Sequence, residues 1–292
     1  MEPLRLAAPV TLALLAAVAV DQLTHARGMD PPGFLVQPWR RAVGLAVVAT
    51  TFWIGVFFSL GMVGLPAGTF RPVPLPELFF LQAIFFAALL AWFLVGHAGW
   101  LPPATSLGGT FARQLGLATP RPLREVGIGL ALGVLIWPAL LAALIAAVAL
   151  LVAFGAEELL PQQPPELIVW IAALPIPIKL GLAACAGVVE EAFFRGFLQP
   201  RVGIGLSTLL FVLAHLAYDQ PFMLIGITLL SLFFAALVHW RQNLWPAIAA
   251  HFLFDAVQLL FVIPWGLEEL AGAGAGTGGA TVAALAGLPL PF

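Results

Sequence analysis

Long apolar runs, each closed by a short polar or Pro-rich segment, pattern this chain from end to end. Leu6–Val20 is almost wholly apolar, with Arg5 ahead of it. A polar stretch, Asp21–Arg41, precedes a second run, Ala42–Leu65. A Pro-rich loop, Pro66–Pro76, leads to a third run, Leu78–Val95, and a fourth spans Val126–Phe154. These last three approach or exceed the ~20 residues that one bilayer crossing needs. Pro138 inside the fourth predicts a kink. Leu101–Glu125 reads as a loop, and so does the acidic, Pro-rich Gly155–Glu166.

The second half is denser. Pro175 and Pro177 separate Leu167–Leu174 from Ile178–Val202. That pattern predicts a broken helix, its first piece too short to cross, and such breaks are tolerated where they line a cavity. Gly203–Tyr218, Phe222–Val238 and Leu244–Pro264 then predict three helices in quick succession. From Leu267 the chain is rich in Gly and Ala without periodicity, and is expected to be loosely ordered. No internal repeat is evident. The predicted fold is all-α, a polytopic transmembrane bundle of about eight membrane helices. It divides into N-terminal spans of unassigned role (residues 1–166), a helix bundle carrying the chemistry (167–266) and a Gly/Ala-rich tail (267–292).

Composition agrees with the pattern. The chain is 62% hydrophobic and 9% charged, where soluble domains run near 25% charged, and its mean hydropathy is +1.05. A net charge of −2 without a basic run excludes nucleic acid as a partner. Cys185 is the one cysteine, which excludes an intrachain disulfide and a thiolate zinc cluster and leaves it as a small packing residue. No Cys stands four from the end, so the chain is not expected to be prenylated itself. The first helix reads as a retained span, because its apolar run is long for a signal; cleavage near Ala17-Val-Ala19 is the alternative. Arg27, Arg40 and Arg41 occupy one loop, and Arg113, Arg121 and Arg124 another, while the alternate loops hold Arg71 alone. The positive-inside rule puts the Arg-rich loops in the cytoplasm and the N-terminus outside. Arg195 and Arg201 then draw the central acids towards the cytoplasmic face. His97 with Trp100, His239 with Trp240, and His25 suit an interfacial belt.

The chemistry concentrates on a few polar groups set in apolar helices. Glu190 and Glu191 lie within Gly181–Arg195, His215 ends Phe211-Val-Leu-Ala-His, and His251 and Asp255 bracket Phe-Leu-Phe. A charge at the bilayer centre costs at least ~2.5–3.5 kcal/mol on insertion scales, so such groups pair or do chemistry. Glu191 and Arg195 are four apart and can pair on one helix face. Glu190, rotated about 100° from Glu191, points elsewhere and is free to face a cavity. His251 and Asp255 also share a face, so the acid can fix the imidazole tautomer. A carboxylate and a histidine around a water form a general-base system. The charge developing on a cleaved amide needs donors, and His251 is a candidate. Ser207 and Ser231 sit in no nucleophile setting, and no Gly-x-Ser-x-Gly occurs. His-Glu-x-x-His is absent, yet Glu190, His215, His251 and Asp255 are legitimate zinc ligands, so a metal site stays open.

Glu190-Glu191-x-x-x-Arg195, Phe211-x-x-x-His215 and His251-x-x-x-Asp255, in that order on separate apolar helices, resemble the CPBP family. It comprises CAAX prenyl proteases of the Rce1 type and bacteriocin-processing or self-immunity enzymes of the Abi type. The resemblance extends to Phe194-Arg195-Gly196 and to the Asn243-Leu-Trp-Pro-Ala-Ile approach to His251, covering about Ile178–Pro264. It implies an intramembrane endopeptidase in which Glu190 and His215 activate the attacking water. Glu191 and Arg195 would support the site, and His251 and Asp255 would polarise the scissile carbonyl. The family has been described both as metalloproteases and as glutamate proteases; the metal-free reading is favoured here, with no cofactor, and zinc is the alternative. The third motif more often ends in Asn, so Asp255 would donate to an oxyanion only when protonated.

The substrate is expected to be a membrane protein or peptide met within the lipid bilayer. The composition points to a bacterial inner membrane, where a leader peptide, a C-terminal sorting segment or a membrane regulator fits better than a prenylated protein. Two competing functions stand beside this. One is a catalytically silent member of the family acting as a scaffold or immunity factor. The other is a proton-coupled transporter, which predicts inverted repeats and paired broken helices, neither evident here. Asp219 reads as a loop or cap residue, or as part of a substrate entrance.

Overall fold

The computed structural model describes residues 3–57, 59–60, 74–101, 105–160, 164–216 and 220–274. Asp219, Arg71 and the tail beyond residue 274 therefore lie outside the described residues. Seven helical stretches among the described residues are long and apolar enough to cross a membrane. The protein is an integral, multi-pass, all-helical bundle.

Helix α1 (Pro3–Ala26) runs beyond its apolar core. Arg41 pairs with Asp21 at 2.8 Å, and Thr24 Oγ1 donates to the Val20 carbonyl at 2.6 Å, so the polar last turns are satisfied and stay helical. A short α2 (Pro32–Val36) precedes α3 (Pro38–Phe52), which continues through a π-turn, Trp53–Phe57. A 3-10 turn (Leu75–Phe79) opens α4 (Phe80–His97). The expected loop Leu101–Glu125 contains a helix, α5 (Leu107–Gln114), started by Ser106, whose Oγ accepts from Gly109 N at 3.0 Å. Helix α6 (Pro122–Ala153) contains Pro138, and its outer face, including Val134 and Leu135, is left for lipid.

The predicted broken helix is present. Helix α7 (Glu166–Ala172) stops short of Pro175, and α8 (Ile176–Cys185) starts beyond it and continues as a π-helix, Ala186–Leu198. Helix α9 (Gln199–Ala214) is interrupted at Gly203, whose φ of 85° and ψ of 169° suit glycine alone. The chain folds back there, and Ser207 Oγ donates to the Phe194 carbonyl at 2.6 Å. The membrane stretch Ile176–Ala214 is thus a hairpin, which reconciles seven stretches with about eight predicted legs. The return leg of α9 is about 16 Å long at 1.5 Å per residue, so His215 ends part-way through the bundle.

Helices α10 (Pro221–Arg241) and α11 (Trp245–Val257) complete the site. A π-turn, Gln258–Val262, follows α11 and leads into α12 (Ile263–Gly274). The apolar pattern predicts a helix end at Pro264 and a loose chain from Leu267. Instead the helical run continues from α11 through the π-turn into α12, with Pro264 inside it.

Small residues bring α11 close to its neighbours. A Cβ on Gly129 of α6 would overlap the Pro246 carbonyl, and one on Gly133 would lie 3.1 Å from Ala250 Cα. On the other side, a Cβ on Gly187 would lie 3.0 Å from the Ile248 carbonyl. This small-residue packing is how membrane helices approach closely without a hydrophobic drive. The N-terminal spans dock through rings: Phe85 stacks on Phe193 at 4.6 Å, and Phe52 meets Phe193 edge-on at 6.3 Å.

The arginine-bearing segments meet at one end. Arg27 donates to the Pro200 carbonyl at 2.6 Å, Arg40 to the Ala98 carbonyl at 2.8 Å, and Arg241 pairs with Glu125 at 2.6 Å. This is the end that the positive-inside rule assigns to the cytoplasm. His97 departs from the interfacial expectation: it is 3% exposed, stacked on Phe93 at 4.4 Å and held by Gln114 at 2.7 Å. His25 and His239 are at the surface.

Candidate active site

The adjacent acids point in different directions from the π-wound segment. Ala186, Glu190 and Phe194 line a cavity at four-residue spacing. One position on, Glu191 and Arg195 turn into the protein and are 0% and 1% exposed. Arg195 Nη1 lies 3.3 Å from Glu191 Oε1. Its Nη2 donates to Ser231 Oγ at 3.0 Å, and the guanidinium sits 4.2 Å from the centre of the Phe211 ring. Ser231, which has no nucleophile setting in the sequence, is thus a partner for a buried cation. π-Turns recur at functional sites because they re-aim side chains that an α-helix would place otherwise.

His251 stands between two carboxylates. Its Nδ1 is 2.9 Å from Glu191 Oε1 and its Nε2 is 3.4 Å from Asp255 Oδ2. Phe234 stacks on the ring at 4.7 Å and 14°, fixing its plane. The helical spacing alone predicts that Asp255 orients the ring and leaves the second nitrogen for substrate. The geometry differs: Glu191 makes the shorter contact and takes that second nitrogen. Periodicity within α11 reveals only the local pair, whereas the Glu191 contact bridges 60 positions.

His215 closes the return leg of α9. Its Nδ1 is 2.7 Å from the Phe211 carbonyl. With that N–H donated to the carbonyl, the neutral ring carries its lone pair on Nε2. Phe211 packs against the ring at 4.5 Å. His215 and His251 are therefore held by different devices, one by backbone and one by acids.

Glu190, His215, His251 and Asp255 all line one cavity of about 320 Å³. Glu190 lies within electrostatic reach of the other three and of Glu191. Gln82 and Gln258 add amides to the polar end. Gln82 Nε2 is 3.4 Å from Glu190 Oε1, a contact from α4 that no motif announces. Leu78 and Leu81 near the start of α4, Ile168 and Ile171 of α7, and Leu259 and Ile263 near the end of α11 form apolar walls. A compartment with a polar end and apolar walls suits an extended apolar peptide whose backbone is to be attacked. From the Arg-rich end, His251 lies six residues, about 9 Å, along α11.

Among the described residues, no three His, Cys, Asp or Glu side chains are arranged to share one ion. Both nitrogens of His251 already face carboxylates, and Nδ1 of His215 faces a carbonyl.

Residues 169–257 match the family described as type II CAAX prenyl endopeptidase Rce1-like. That range takes in Glu190, Glu191, Arg195, His215, His251 and Asp255, and it excludes Gln82 and Gln258. YpbD, an uncharacterized protein of Bacillus subtilis (strain 168), is 34% identical over 83 residues. The shared stretch is 28% of this chain and 44% of YpbD, so the chain covers less than half of that relative's length. No solved structure matches the chain.

Proposed function

We propose, from the Rce1-like domain at residues 169–257, that this protein is an intramembrane endopeptidase of the CPBP type. It would hydrolyse a peptide bond of a membrane-associated protein or peptide through an activated water. The observation that carries the reading is the shared cavity, where Glu190, His215, His251 and Asp255 from three helical segments line one space.

Each side chain has a role that its contacts allow. Glu190 is the general base: it lines the cavity, while Glu191 is committed to Arg195 and His251. His215, with its lone pair on Nε2, accepts from the same water and orients it between the two groups. Attack on the scissile carbonyl leaves negative charge on its oxygen. His251 is placed to meet that charge: two flanking carboxylates are satisfied when both ring nitrogens carry protons, which makes the ring a cationic donor. Its Nε2 faces the cavity side, where Asp255 shares it, and the oxyanion would compete with Asp255 for that N–H. The proton taken by Glu190 passes to the leaving amine as the tetrahedral adduct collapses. Arg195 holds Glu191 in place. No step calls for a metal, and the acids and histidines supply base, donor and proton carrier between them.

The substrate fits a bacterial cytoplasmic membrane, in line with the bacterial source of the 34% identical relative. The apolar walls favour an apolar segment, such as the membrane-proximal part of a leader or sorting sequence. Mapping new peptide termini tests this in membranes from cells making the wild type or Glu190→Ala at equal levels. Termini that appear with the wild type and vanish with the variant are expected. Identical sets would refute the proteolytic reading and leave a silent scaffold.

A further inference from the structure

We infer that Gln82, on α4 and outside the Rce1-like segment, is a positioning residue for Glu190, so that the N-terminal spans are part of the catalytic unit. This rests on the peptidase reading above.

Four observations converge on it. Gln82 is the one amide or charged side chain between Phe80 and Val95, in a helix otherwise built of apolar residues. A half-buried amide there is costly unless it is used. It lines the same cavity as Glu190, and its Nε2 points to Glu190 Oε1 at 3.4 Å across 108 positions of sequence. Its own carbonyl, Oε1, is buried without a hydrogen-bond partner. Helix α4 is held against the acid-bearing segment, with Phe85 stacked on Phe193 at 4.6 Å and edge-on to Phe194 at 5.6 Å.

The donor end of the Gln82 amide touches the carboxylate proposed as base. Reversing the amide would set its carbonyl against the carboxylate oxygen, so the donor end belongs on Glu190. A donor on Oε1 fixes the carboxylate rotation and presents the other oxygen to the water. The contact is long, as such contacts often are before substrate closes the site.

The test measures hydrolysis of an internally quenched apolar peptide by wild type, Glu190→Gln, Gln82→Met and Gln82→Asn, each purified in detergent. Methionine keeps the length and apolar bulk and removes both amide ends. Asparagine keeps the amide but draws it back by one methylene. Both variants are expected to lower kcat about tenfold, the worth of one hydrogen bond to a charged group, with KM within about twofold. The thermal midpoint of Gln82→Met should equal or exceed that of the wild type, because an unsatisfied carbonyl is removed. Wild-type kcat in either variant would overturn the inference. So would a lowered midpoint in Gln82→Met with unchanged kcat per folded molecule, which marks a structural role. If wild type cleaves no faster than Glu190→Gln, the peptidase reading itself fails; if it does and Gln82→Met matches it, only the role of Gln82 fails.

Discussion

Replacing Glu191 with alanine removes the one carboxylate that Arg195 and His251 share. Its Oε1 is 3.3 Å from Arg195 Nη1 and 2.9 Å from His251 Nδ1, and both arginine and acid are essentially inaccessible to solvent. Arg195 would keep Ser231 Oγ at 3.0 Å and the Phe211 ring at 4.2 Å, neither of which neutralises it. Breaking a buried pair from one side costs roughly 3–5 kcal/mol, because the remaining charge is stranded. Losing the bond to His251 adds about 1–3 kcal/mol, though the two terms overlap and will not sum. Removing Arg195 as well relieves the stranded charge. Glu191→Ala with Arg195→Met should therefore recover at least about 2 kcal/mol over Glu191→Ala alone, as coupling within a double-mutant cycle. The assay is reversible unfolding in mixed micelles followed by tryptophan fluorescence, alongside peptide hydrolysis. The double variant is expected to be stable and still slow, since His251 has lost its anchor. A Glu191→Ala protein within about 0.5 kcal/mol of wild type would refute the reasoning. A double variant no more stable than the single one would refute it equally.

Asp255→Asn should retain turnover within about tenfold, because an amide oxygen can accept the same His251 N–H, whereas Asp255→Ala should lose most of it; equal damage from both would mean that the charge itself is required. Gly129→Val, read by the same unfolding assay, should destabilise the protein by about 1–3 kcal/mol or more, since a Cβ there overlaps the Pro246 carbonyl and pushes back the helix carrying His251. Hydrolysis should survive chelation, with elemental analysis of the active protein finding no stoichiometric zinc. Activity lost on chelation and restored by zinc would contradict the metal-free reaction.

The polar residues of the site are legible in the sequence because charge is so costly in apolar helices. Six ionisable groups in three spaced motifs must meet one another to be tolerated there, which places them at a common site. The different directions of Glu190 and Glu191 follow from rotation about one helix. The spans are legible for the same reason, since backbone in lipid must be helical and hydropathy sets where. What hydropathy leaves out depends on tertiary contact. The extension of α1 to Ala26 needs Arg41 to meet Asp21, and the burial of His97 needs α5 to supply Gln114. Helix α5 is short and Gly-containing, with only Ser106 to announce it. The continuation of the chain through Pro264 depends on the π-turn before it, which has no sequence signature of its own. Gln82 carries a readable signal, a lone amide in an apolar span, but its partner is 108 residues away. The role of Glu191 in holding His251 is hidden in the same way, by a contact between α11 and a helix 60 residues earlier.

The role of Glu190 as base is tested most directly with purified protein and one quenched apolar peptide, comparing wild type with Glu190→Gln at equal folded concentration. Glutamine keeps the size and the contact with Gln82 while removing the base. Wild type should cleave the peptide at a measurable rate, and Glu190→Gln should be slower by about 100- to 10,000-fold, the usual worth of a general base, with an unchanged unfolding midpoint. Cleavage by Glu190→Gln within about tenfold of wild type would contradict the assignment.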